Sequence, residues 1–88
     1  MKQNPDFLLR EVAGKMVLVP VGAAASKFPG MVTLNRAGKL IWELLAQEQT
    51  LQSIVDAMTE RYEVSREQAA QDAEKFLARL RAVEAIMD

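Results

Sequence analysis

The apolar residues of this 88-residue chain change their spacing once, between Leu34 and Leu45, and that change limits what the chain can fold into. Before it they alternate or run together in short segments, as strands do; after it they recur every three or four positions, as amphipathic helices do. Asn35 marks the switch. It follows the strand-like Met31-Val32-Thr33-Leu34, and its side-chain oxygen can accept from an N–H of the first helical turn, so a helix is expected from about Arg36. Ala37, Leu40, Ile41, Trp42, Leu44 and Leu45 then cover an arc of roughly 200° at 100° per residue, wider than the stripe that packs on a single layer. The helix should touch two layers, with Trp42 in the core. Gly38, one turn before Trp42, leaves room for the indole or a neighbouring backbone to come close.

Upstream, Phe7-Leu8-Leu9-Arg10-Glu11-Val12 and Lys15-Met16-Val17-Leu18-Val19-Pro20-Val21 read as two strands joined by the two-residue turn Ala13-Gly14, in which Gly14 supplies a positive φ. Pro20 has no N–H to give a ladder, so pairing should stop there or Pro20 should lie at an edge. Gly22 to Gly30, small residues closed by Pro29-Gly30, reads as a loop. Met31 to Leu34 forms a third strand with Val32 and Leu34 on one face and Met31 and Thr33 on the other.

Downstream, Thr50 is an N-cap, and Leu51, Ile54, Val55, Met58 and Tyr62 describe a second helix. Ser65 with Gln68 makes a capping box. The helix it opens is the longest, with Ala69, Ala73, Phe76, Leu80, Val83 and Met87 on one face and Leu77 on its flank, about twenty residues or roughly 30 Å. Three strands followed by three helices predict an α+β fold in one domain, 1–88.

Composition narrows the chemistry. Half the residues are apolar, which supplies one small core, and packing against a partner or a second copy as a homodimer would add to it. Cysteine and histidine are absent, which excludes thiolate nucleophiles, disulfides, imidazole bases and the usual zinc ligands. No catalytic, metal or cofactor constellation is visible; Glu60, Glu63, Glu67, Asp72 and Glu74 read as a solvated face. The start of the chain lacks the apolar run of a secretory signal and no segment is long enough to span a bilayer, so a cytoplasmic location and no membrane partner are expected. The net charge of −1 hides an asymmetry: residues 1–42 hold six Lys/Arg and two Asp/Glu, residues 43–88 five and ten. The strand-rich half could attract an acidic partner, or these charges could simply be scattered for solubility.

The ordered set of Arg10, Val17-Leu18-Val19-Pro20, Leu34-Asn35, Gly38, Ile41-Trp42-Glu43-Leu44-Leu45, Thr50, Ile54-Val55, Asp72, Phe76-Leu77 and Leu80 resembles the PqqD-like family of precursor-peptide recognition elements over about residues 7–86. The resemblance implies a winged helix-turn-helix-like fold, a three-stranded antiparallel sheet packed on three helices. It implies a non-catalytic role: binding the leader segment of a ribosomally made precursor peptide as an added strand beside the third strand. The leader is thereby presented to a peptide-modifying enzyme, often a radical-SAM protein. On this chain the implied peptide-binding residues are Met31, Val32, Thr33 and Leu34 on the edge and Asp72, Lys75, Phe76 and Arg79 on the third helix. Arg10 would meet an acidic leader residue or serve as an ordinary surface arginine. Val21-Gly22 and Gln47-Glu48 stand where members of the pyrroloquinoline-quinone pathway usually carry Pro-Glu and Asp-Gly, which argues against that pathway, and Glu84-Ala85 stands where many relatives turn at a glycine.

Other readings use the same residues differently. Met31–Leu34 could be a core strand whose edge is covered by its own loop or a second subunit. A DNA-binding winged helix needs concentrated positive charge, whereas Arg66, Lys75, Arg79 and Arg81 are offset by Glu67, Asp72, Glu74 and Glu84, so no nucleic-acid partner is expected.

Overall fold

The structure, a computed structural model, describes residues 1–28 and 30–88. The elements in order are β1 (Lys2–Gln3), β2 (Phe7–Val12), β3 (Lys15–Pro20), α1 (Ala23–Lys27), β4 (Val32–Leu34), α2 (Arg36–Leu44), α3 (Leu51–Arg61), α4 (Arg66–Ala82) and β5 (Ile86–Met87). The α+β expectation holds: β2, β3 and β4 form an antiparallel sheet in that order, followed by helices.

The β2–β3 hairpin turns through Ala13 at φ 52° and Gly14 at φ 79°, the pair of positive angles that matches the right-handed strand twist. Pro20 pairs with Phe7 at the end of β3, whereas β4 pairs with β3 only as far as Leu18 opposite Val32. The missing N–H of Pro20 therefore falls beyond the reach of β4 and disturbs no ladder. Leu34 is buried and Thr33 exposed, as the strand period requires.

Asn35 is the N-cap of α2, its side-chain oxygen accepting the Gly38 N–H at 2.8 Å. Leu40, Ile41, Trp42 and the C-cap Leu45 are buried, and α2 packs on β4, α3 and α4, so its wide apolar arc does meet more than one layer. Thr50 caps α3, but there the full capping box forms: Ser53 and Thr50 exchange bonds of 3.0 and 2.9 Å. At Ser65 only half of the expected box exists. Its hydroxyl accepts from the Gln68 N–H, while the Gln68 side chain turns away to donate to Asp72 Oδ1 at 2.9 Å.

Several expectations are corrected. The strand expected from Met31 begins at Val32, and the second strand ends at Pro20 rather than Val21. Part of the expected 22–30 loop is α1, a five-residue helix whose Ala24 is buried; alanine has the best helix propensity and is small enough to pack closely. Of the expected Pro29-Gly30 turn, Pro29 lies outside the described residues. A second, two-stranded sheet pairs β1 with β5, Lys2 opposite Met87 and Gln3 opposite Ile86. It is tied down from both sides: the Gln3 N–H donates to the Leu45 carbonyl, the Gln3 side chain to the Trp42 carbonyl, and the Asn4 N–H to the Ala85 carbonyl.

The last helix is consequently shorter than its apolar series suggests, 17 residues or about 25 Å. Val83 is its C-cap, and Met87 belongs to β5. The chain leaves the helix through Glu84 at φ 58°, with the Ala85 N–H reaching back to the Leu80 carbonyl at 2.8 Å and the Glu84 N–H to Arg81 at 3.0 Å. This is a Schellman ending with glutamate where glycine is usual. A side chain at that angle costs on the order of 1–2 kcal/mol, partly offset by the lower entropy of a non-glycine unfolded chain. Glu84→Gly is therefore expected to raise unfolding stability by about 0.5–1 kcal/mol, read from urea midpoints; an unchanged or lower midpoint would contradict the strain.

Candidate functional site

β4 is the last strand of its sheet, and among the described residues no strand pairs with its outer side. Which backbone groups that side displays follows from the hairpin. A two-residue turn closes on a hydrogen-bonded pair, here Val12 with Lys15, and such pairs alternate along an antiparallel ladder. Lys15, Val17 and Val19 then address β2, while Met16 and Leu18 address β4 through Leu34 and Val32. Thr33, opposite Val17, is left pointing its N–H and C=O outward. Consistently, the Arg79 guanidinium on α4 approaches the Thr33 carbonyl at 3.5 Å, a long and weak contact.

Beside that edge lies a groove of about 800 Å³ bounded by β4, the start of α2 and one flank of α4. Its depth depends on Gly38. A Cβ there would stand 3.1 Å from Phe76 Cε1 and 3.3 Å from Cζ, closer than carbon atoms ordinarily pack, so the aromatic ring occupies the space a side chain would take. The close neighbour of Gly38 is thus Phe76 across the helix interface and not Trp42, which is buried in the same core. Phe76 is 8% exposed, enough to offer a ring edge to the groove; Leu34 and Ile41 line it beside the ring.

Six of the eight residues expected at the site line this groove: Thr33, Leu34, Asp72, Lys75, Phe76 and Arg79. Met31 and Val32 do not. Met31 is exposed just ahead of β4, and Val32 shares the inward face with Leu34 and packs against the core. Asp72 is not paired with Lys75 or Arg79; it accepts from Gln68 one turn earlier. Sequence reasoning missed the other wall. Lys15 from β3 and Arg36 and Lys39 from α2 also line the groove, contributed by separate elements that only the fold brings together. The excess of basic residues before residue 43 was their one trace in the sequence. Arg10 lies on β2, away from this groove. Among the described residues no cluster of His, Cys, Asp or Glu could hold a metal ion, and no helix is long and apolar enough to cross a membrane.

The family model described as coenzyme PQQ synthesis protein D (PqqD) matches residues 8–86. The chain belongs to the PqqD family. Among solved structures it is similar to one titled "TbiB1 in Complex with the TbiA(beta) Leader Peptide", with 25% sequence identity, a TM-score of 0.76 and full coverage of both chains. Among curated proteins none matches. PqqD-family domains of this kind are non-catalytic peptide-binding proteins.

The tight seat of Phe76 gives a direct test. Replacing Gly38 by valine overfills the space between α2 and α4 and is expected to cost about 1–3 kcal/mol, despite the better helix propensity of valine. Denaturant unfolding measures it, and a Gly38→Val protein as stable as the parent would mean that the ring moves aside freely.

Proposed function

We propose that this single domain binds the leader segment of a ribosomally synthesised precursor peptide by strand addition at β4 and presents it to a modifying enzyme, a radical-SAM protein being the kind of partner the PqqD resemblance implies. The observation that carries the reading is the outward-facing N–H and C=O of Thr33 on an edge strand with a groove beside it. Family membership and the similarity to a protein solved with a leader peptide support it.

The physics divides the work between main chain and side chains. An edge strand is a rail for an extended peptide, and each backbone bond contributes about 0.5–1.5 kcal/mol. Each leader side chain buried in the groove adds about 1.5–3 kcal/mol, whereas ordering a flexible leader takes back about 2–5 kcal/mol. Met31 precedes β4 and is exposed, so within the strand Thr33 alone carries the outward N–H and C=O. Main-chain bonds set register; Phe76 and its neighbours discriminate among leaders. The weak Arg79 contact with the Thr33 carbonyl is one that an incoming N–H can replace.

Peptides encoded beside the gene are the natural probes. Titrated into isotope-labelled protein, the cognate leader should shift the backbone resonances of Val32–Leu34 and the groove flank of α4, leaving β2 unmoved. Thr33→Pro removes the outward N–H while sparing the bonds of Val32 and Leu34 to β3, so it should reduce leader affinity by tenfold or more with little loss of fold. Unaltered affinity in that variant, or shifts confined to β2, would contradict strand addition at β4.

A further inference from the structure

The groove is strongly basic in a protein that is not. Lys15, Arg36, Lys39, Lys75 and Arg79 line it against a single carboxylate, Asp72, although the whole chain carries a formal net charge of −1. Among the described residues the ion pairs are Met1 with Glu48, Arg66 with Asp56 and Arg81 with Asp88, so none of the five groove cations is neutralised by a neighbour. Asp72 is engaged by Gln68. Like charges gathered without counter-charges repel one another, and a partner bearing the opposite sign relieves that repulsion.

Between these cations the lining includes the apolar Leu34, Ala37, Ile41 and Phe76, the last largely buried beside the bare backbone of Gly38. We infer that the groove selects an acidic extended peptide, one in which carboxylate side chains alternate with apolar ones. The inference rests on the strand-addition reading and deepens it by naming the chemistry of the leader. A strand added beside Thr33 sends alternate side chains to opposite faces: one set descends onto Phe76, the other stands toward the basic rims. Its same-face repeat of about 6.8 Å is close to the rise of about 6 Å between Lys75 and Arg79, four residues apart on α4. Two carboxylates at positions i and i+2 can therefore each meet a cation without distorting the strand. Because these cations are mostly exposed, each pair should change affinity by only about two- to fivefold, and the preference comes from their number.

The test uses the full chain and three labelled ten-residue peptides in which valine alternates with glutamate, glutamine or lysine, measured by fluorescence anisotropy and by the Thr33 amide resonance. The glutamate peptide is expected to bind about tenfold or more tightly than the glutamine peptide at ~50 mM salt, with the lysine peptide weaker still. The advantage should shrink severalfold at ~500 mM salt, where charges are screened beyond a few Å. In a Lys75→Glu, Arg79→Glu double variant, checked for its fold by circular dichroism, three cations face three carboxylates and the glutamate and lysine peptides should bind nearly alike; a preference for glutamate that survives unchanged would contradict the inference. Equal binding of all three peptides, with the Thr33 shift present, overturns the acidic preference and leaves strand addition standing. If none of the three moves the Thr33 resonance, strand addition fails and the acidic preference falls with it.

Discussion

The approach of the Phe76 ring to the bare backbone of Gly38 holds the groove beside β4 in shape. Gly38 lies in the first turn of α2, and its N–H is fixed by the Asn35 side chain, which is also the single residue between α2 and β4. The position of α4 relative to the β4 edge is thus set through one short chain of contacts: strand, cap, glycine, ring. A larger residue at position 38 would push α4 outward and change the width of the groove. Glycine in a helix costs about 1 kcal/mol relative to alanine, and here the close packing of two helices accounts for it.

The second constraint is the alternation of hydrogen-bonded and non-hydrogen-bonded pairs along the antiparallel ladder. Because β3 spends alternate residues on β2 and on β4, the three-residue β4 can turn only its middle residue outward. The free edge is short, which limits unwanted pairing with other chains, and the helix wall beside it restricts access to a peptide that also fits the groove. Under the proposed strand addition, affinity, register and selectivity reside in different atoms: the main chain of Thr33, the apolar side chains at Phe76 and the basic side chains around it.

Much of this was legible in the sequence because the signals were local. The Asn35 cap, the Ala13-Gly14 turn, the period-two faces of β4 and the period of α2, α3 and α4 each follow from residues a few positions apart. What escaped depends on distant partners or on a choice between local alternatives. β1 and β5 are two residues each and lie at opposite ends of the chain, so neither carries a periodic signal, and the apolar Met87 mimicked a further turn of helix. Glu84 takes a backbone angle that glycine would have announced, and Gln68 chose Asp72 over the Ser65 cap. One wall of the candidate site was visible as a helix flank and an edge strand. The other, with Lys15, Arg36 and Lys39, becomes a wall only once β3 and α2 are set around the groove.

Strand addition at β4 requires the Thr33 amide to point outward, and hydrogen exchange followed amide by amide reads its direction. In the free protein Thr33 should exchange rapidly while Val32 and Leu34, bonded to β3, exchange slowly; saturation with a cognate leader should slow Thr33 alone among the three. A Thr33 amide already protected in the free protein, or one left fast in the complex, would contradict the proposal that a peptide completes this sheet.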